Sequence, residues 1–469
     1  MKLVGYRYLI ERLNLHVLPV SLLELEDEIT LEDTVVGHLE FALQYEGINL
    51  EVIDAVFEHL QPSELINRLK KNPNGEYIRR LCFLWEWLGY KKLNAGISST
   101  GKYIDLFPRH KYLTASRASQ NHTYRINNNA LGTASFCPIV KRNALADSPT
   151  LDELLEQAHI MLEESSSEAI YDRAISYLYL SETRSSFAIE KETPSAKKEE
   201  RFIRLLHRVW EYPKLTEDAL VELQNVAVRE IYSQEASYRT RQNWLENSLG
   251  RITYFPPPPE QLRELMTGWE NFINDTNRGT DLLVVAACAT FGFVYLHPFM
   301  DGNGRLHRFI IHQVLSRHSN LPKEFIIPVS AVIMKNIAAY LEVLTNFSEA
   351  VTKLWDYRRI DIEPHILKNA NARTYRFFNA DKEVRFLQKM LQQAIEVEMP
   401  KEVAWLNGYD KAFMELEGLF DLPKKDISAL IRMIYHNGGK LSKHRRKQYI
   451  HLPKLLLDQI EIVVNKAFS

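Results

Sequence analysis

The chain has 469 residues, 45% of them hydrophobic and 25% charged, with a net charge of −2 at pH 7. Such a chain buries ordinary globular cores, is long enough for about three domains, and is not a wholesale nucleic-acid or membrane binder, which would need a large excess of positive charge. Cys82, Cys137 and Cys288 are odd in number, far apart and without metal-site spacing, so disulfides are not expected and a reducing, cytoplasmic compartment is.

Residues 1–95 read as a helical N-terminal domain, with periodic apolar faces in Leu31–Tyr45, Leu50–Leu60 and Tyr77–Leu88 and no motif that carries chemistry. Arg7, Glu11 and Arg12 interrupt its first apolar stretch and argue against a signal peptide. From 96 to 150 the helical period fades amid Ser, Thr, Asn and Gly. Strands and loops are expected there, packed against the next domain or forming a target-facing surface.

Residues 151–362 form the next unit, with helix signals at Leu151–Glu164, Ala169–Arg184, Ala196–Glu211, Thr216–Ile231, Pro259–Asn274, Arg305–Arg317 and Ala331–Thr345. Ser186 and Glu190 are four apart and share a helix face, and Pro194 marks a helix end. Alternating Ile252 and Tyr254 suit a strand edge, which must stop at the run Pro256–Pro259 because proline cannot donate to a ladder. The run from Leu282 to Met300 is uncharged and close to the ~20 apolar residues of a membrane span. It ends at His297, contains Gly292 and is bracketed by Asp281 and Asp301, so it reads as a core helix and not a span.

That run leads into His297-Pro298-Phe299-Met300-Asp301-Gly302-Asn303-Gly304-Arg305-Leu306-His307-Arg308. An imidazole such as His297 accepts a proton near neutral pH. The carboxylate of Asp301 is a hard ligand suited to Mg²⁺. Gly302 and Gly304 permit close approach of a ligand to the backbone, and a helix starting there turns free N–H groups toward an anion. Arg305 and Arg308 are three apart, so on a helix they can fork onto phosphate oxygens together.

His-x-Phe-x-Asp-Gly-Asn-Gly-Arg-x-x-Arg is the signature of Fic-domain proteins, and the chain matches it at every specified position; on these residues it resembles that family. The resemblance implies a mostly α fold: a Fic helical core with a β-hairpin flap, flanked by helical N- and C-terminal regions. It implies transfer of AMP from Mg-ATP to a hydroxyl of a target protein, with His297 as base, Asp301 on the metal, and Gly302, Asn303, Gly304, Arg305 and Arg308 on the phosphates. Doc kinases of the family carry a lysine at the position of Gly304, and the glycine implies the adenylylation pose. Ser186 and Glu190 resemble the family's class II inhibitory motif, in which the glutamate pairs with the arginine matching Arg308; Lys191 departs from the Gly or Asn expected next. In some class II relatives that glutamate also positions water to remove AMP. The alternative for Glu190 is a solvated carboxylate on an ordinary surface helix. Tyr238–Trp244 with Ile252–Phe255 resembles the flap that docks a target by strand addition, the alternative being a packed surface loop. Asn336 and Tyr340 match positions near adenine in some relatives, the alternative for Asn336 being a plain helix surface.

Residues 363–469 read as a helical C-terminal domain. A helix at 426–435, a turn at Asn437-Gly438-Gly439 and a basic cluster (Lys440, Lys443, Arg445, Arg446, Lys447) invite comparison with winged-helix DNA binders; a solvated face or an oligomer contact is the favoured reading. Two functions therefore stand: an auto-inhibited adenylyltransferase acting on an unnamed target protein, alone or as a homodimer, or a nucleotide-sensing regulator that binds DNA or a partner through its C-terminal domain. Transfer of another phosphate-containing group is a near neighbour of the first.

Overall fold

The computed structural model describes residues 3–21, 31–163, 168–228, 234–319, 321, 323–360 and 363–469. The fold is mostly helical, as expected. Its N-terminal body consists of α1 (Gly5–Leu13), α2 (Val35–Tyr45), α3 (Leu50–Phe57), α4 (Pro62–Lys71) and α5 (Glu76–Trp87). Thr34 and Asn49 cap α2 and α3 by accepting from the N–H groups of Gly37 and Val52, which sets where those helices begin. A three-stranded sheet follows, β1 (Ile104–Asp105), β2 (Ser119–Asn121) and β3 (Ile126–Asn128), with β3 in the middle. This segment joins two cores: Leu106, Ile126 and Cys137 pack into the N-terminal body, whereas Phe136, Val140 and Ala144 pack into the next one.

The second and largest core comprises α6 (Leu151–Glu163), α7 (Glu168–Ile189), α8 (Ala196–His207), α9 (Glu217–Ala227), β4 (Leu245–Glu246), β5 (Ile252–Tyr254), α10 (Pro259–Asn274), α11 (Leu282–Leu296), α12 (Asn303–Leu315), α13 (Val329–Lys335), α14 (Ile337–Thr352), β6 (Asp356–Ile360), β7 (Glu363–Lys368), α15 (Ala372–Arg376) and α16 (Asp381–Gln393). The helix ends expected at Glu164 and Ile231, and the boundary at 362, lie outside the described residues. Asp281 caps α11 through the Leu283 N–H, and side chains from Leu283 to Phe293 are buried. A helix apolar on every side is stable only when surrounded; α10, α12 and α16 cover this one. Among the described residues no helix is long and apolar enough to cross a membrane.

Near 362 the chain forms a hairpin: β6 and β7 pair antiparallel, Arg359 opposite Pro364. Val384, Leu387, Leu391 and Met399 lie in the same core as α11, so the side chains around the motif continue well past the expected boundary. A third core then unites α17 (Met399–Leu419), α18 (Lys424–His436) and α20 (Lys454–Phe468); α19 (Lys443–Gln448) buries none of its own residues there, but Leu441 and Tyr449 on either side of it do. The turn at Gly438 and Gly439 is present, both at positive φ. No strand follows α19 among the described residues, so the winged-helix comparison fails for want of a wing. Arg446 of the basic cluster is paired with Asp458 at 2.7 Å and Glu461 at 2.6 Å.

Candidate active site

The motif is the junction between two helices. α11 ends when His297 takes a left-handed conformation at φ 48°, a cost of about 1–2 kcal/mol for a non-glycine residue that the surroundings must hold. Arg239 does the holding. Its guanidinium, itself buried, donates to the carbonyls of His297 (2.9 Å), Arg241 (3.1 Å) and Pro257 (2.6 Å), and its own N–H donates to Pro298. Burial, and then the charge of Arg239, pull the His297 imidazole down to about 4, the Val294 backbone and Asp301 opposing. The ring is therefore neutral at pH 7 and able to accept a proton.

Gly302, at φ 86°, starts α12; the left-handed turn and the closeness of Val228, 3.1 Å from where a Cβ would be, both call for glycine. Asn303 closes the turn on itself, accepting from Phe299 N–H at 3.1 Å and donating to Phe299 C=O at 2.7 Å. Its side chain shapes the cradle, and only its backbone N–H is left for an anion. Asp301 keeps a half-exposed carboxylate, one oxygen accepting from Gly302 N–H at 2.6 Å and lying 3.4 Å from Arg305. No cluster of three or more His, Cys, Asp or Glu side chains suited to a metal occurs among the described residues. A single hard carboxylate beside a phosphate cradle is the donor set of Mg²⁺ that keeps waters and phosphate oxygens as its other ligands.

Arg305 and Arg308 share a face of α12, both buried, and that face meets α7. Glu190 accepts from Arg308 at 2.6 Å and lies 3.5 Å from Arg305; Ser186, fully buried, accepts from Arg308 Nε. Arg305 also donates to Ala227 C=O at 3.0 Å. Ser186 and Glu190, separated by more than a hundred residues from the motif, are thus brought onto its arginines.

The structure adds a rung that the sequence reading missed. One turn further back on α7, buried Glu182 is 3.0 Å from His312 of α12 and accepts from both the N–H and the hydroxyl of Ser330 on α13. The signal was present as spacing: Glu182, Ser186 and Glu190 repeat every four residues, facing Arg305, Arg308 and His312. Lys191, where Gly or Asn was expected, stands at φ 59°. The N–H groups of Lys191 and Glu192 return to the carbonyls of Ala188 and Phe187, the pattern that ends helices on a left-handed residue and favours glycine there.

The remaining candidates are placed differently. Ile252 and Tyr254 form β5, but their side chains are buried, Tyr254 donating to Tyr295 C=O at 2.5 Å; exposed Thr253 lies between them. Their side chains secure the flap from beneath and do not face a target. Tyr340 is buried against Phe291, His307 and Phe386. Asn336 spends its amide N–H groups on Val332 C=O at 2.9 Å and Gln393 at 3.0 Å.

Residues 214–315 match the family model described as Fic/DOC family. Proteins called protein adenylyltransferase Fic are similar over short stretches. That of Nematostella vectensis is 28% identical over 107 residues, 22% of this chain and 23% of that one. That of Drosophila melanogaster is 38% identical over 65 residues, 14% and 13%. The chain thus matches less than a quarter of the length of these curated relatives. A solved Fic family protein from Desulfovibrio desulfuricans G20 aligns at 17% identity and TM-score 0.39, over 65% of this chain and 85% of that one. The motif from His297 to Arg308 lies intact inside the matched stretch, so residues 214–315 of this chain carry a match to the Fic/DOC family.

Proposed function

We propose that the chain is a protein adenylyltransferase held in an auto-inhibited state by Glu190. The observation that carries this is the pair between Glu190 and buried Arg308, made beside the turn from Gly302 to Gly304. Breaking a buried ion pair by removing one partner costs several kcal/mol, about 3–5. Arg308 therefore gives up Glu190 readily only to another anion, and the γ-phosphate of ATP is the anion this position suits. Inhibition and substrate binding then compete for the same guanidinium.

In the open state the backbone N–H groups from Asn303 onward and the helix dipole take the phosphates, with Arg305 and Arg308 adding charge. Asp301 would hold Mg²⁺, which when bound supplies charge neutralisation on the phosphates. Neutral His297 takes the proton of a target Ser, Thr or Tyr hydroxyl as its oxygen attacks the α-phosphorus, pyrophosphate leaving. Arg239 fixes the imidazole by its backbone, so most of the catalysis is positioning and charge. Glu190 positioned near the cradle also suits a role in orienting water for removal of AMP.

Intact-mass analysis of wild type, Glu190→Gly and Glu190→Gly/His297→Ala after incubation with Mg-ATP tests the reading through self-modification. The expected result is one AMP added to Glu190→Gly alone. Equal modification of wild type removes Glu190 as the brake, and no addition to any of the three removes the transferase reading.

A further inference from the structure

A cavity of about 520 Å³ opens beside His297 and is distinct from the phosphate cradle: Gly302, Asn303, Gly304, Arg305 and Arg308 do not line it. One wall is the flap, with Arg241, Trp244 and Leu245; the other is the β6–β7 hairpin, with Glu363 and Ile366. The two walls are tied together. Arg359 of β6 pairs with Glu246 of β4 at 2.9 Å and donates to Gly250 C=O, Thr352 donates to Thr253 C=O at 3.2 Å, and Tyr357 packs edge-on against Phe255. The groove is therefore preformed, with His297 among its lining residues.

We propose that this hairpin is the specificity wall for the target, reading side-chain charge on both flanks of the modified hydroxyl; the proposal rests on the transferase reading above. Neither Arg241 nor Glu363 has an ion-pair partner among the described residues, and both line this groove together with Trp244, Leu245 and Ile366. Opposite unpaired charges, one on each wall, beside apolar lining residues fit an extended protein segment with a basic residue toward Glu363, an acidic one toward Arg241 and an apolar or aromatic residue near the hydroxyl. The flap side can recognise such a segment by its backbone. The hairpin side reads side chains instead, because Pro364 within β7 blunts that edge against strand pairing. An extended peptide is favoured over a small molecule because strand residues of both the flap and the hairpin line the groove.

The test is affinity selection of a peptide library randomised around a central Ser, Thr or Tyr, using the full chain, Glu363→Lys and Arg241→Glu. On wild type, Lys and Arg should be enriched about threefold on one flank and Asp and Glu on the other, as a partly exposed pair allows. Glu363→Lys should invert the first preference alone and Arg241→Glu the second alone. No enrichment, or enrichment unchanged in both variants, overturns the proposal. AMP transfer to the selected peptides is scored separately in the Glu190→Gly background. Peptides that follow the charge rule but accept no AMP leave the groove standing and remove the transferase reading. Peptides modified without charge preference leave that reading and remove the groove.

Discussion

Glu190 fills the space in front of Gly304: a Cβ built on that glycine would lie 2.2 Å from Glu190 Oε1 and 3.5 Å from Arg308. On the proposed function, the absent side chain serves two states, admitting the carboxylate when the site is closed and a phosphate when it is open. In the Glu190→Gly background, Gly304→Ala should weaken ATP binding about tenfold, a loss of about 1.4 kcal/mol, as measured by calorimetry. Unchanged affinity would place the phosphates elsewhere.

Lys191 carries the left-handed residue at the end of α7, a position that costs a non-glycine side chain about 1 kcal/mol. Lys191→Gly should raise the melting temperature by about 2 °C and leave the protein silent toward Mg-ATP, because it relieves the strain in the turn that carries Glu190. Faster self-modification in this variant would show that the turn does not hold the glutamate in place.

Glu182 anchors the same helix from below. Glu182→Ala leaves the Ser330 N–H and hydroxyl and His312 without their acceptor, so denaturant unfolding should report a loss of about 3 kcal/mol. Self-modification should rise toward that of Glu190→Gly. A destabilised protein that stays silent with Mg-ATP would make this contact structural only.

Arg239 is a positioning residue. Arg239→Gln removes three carbonyl contacts behind His297 and a positive charge that depresses the imidazole. The His297 pKa should rise and kcat should fall about 10²-fold, the penalty for misplacing a catalytic group by about 1 Å, with ATP affinity unchanged. Proton NMR titration and steady-state kinetics check the two parts.

His297 and His307 are held down to about 4 and about 3, burial being the largest cause in each. Between those values and the ordinary 6.5 the unfolded chain binds protons that the fold refuses. Stability should therefore be full above about pH 6.5 and fall as the pH drops toward 4, each imidazole contributing a slope of up to about 1.4 kcal/mol per pH unit. His307→Gln should flatten the fall, as read from urea midpoints between pH 7 and 5.

Much of this was legible in the chain. Apolar periodicity located α2, α3, α5, α6 and α10, because a helix that packs on one side must repeat its apolar residues near 3.6. The spacing from His297 to Arg308 carried the chemistry because those parts lie within a few residues of one another, where local geometry suffices. What needed the fold was everything joined across sequence distance. Spacing put Ser186 and Glu190 on one helix face, but Glu182 joins them only when α7 lies on α12 and the three become partners for His312, Arg308 and Arg305. Ile252 and Tyr254 alternate as an edge strand would, yet only packing against Tyr295 decides that they point inward. The β6–β7 hairpin was read as a domain boundary because its few residues alternate too briefly to stand out. Its place beside His297 depends on contacts to the flap, about a hundred residues earlier in the chain. Local patterns set the helices and the motif residues; the apposition of distant buried charges, which is stable only inside a finished core, set how Glu190 meets Arg305 and Arg308.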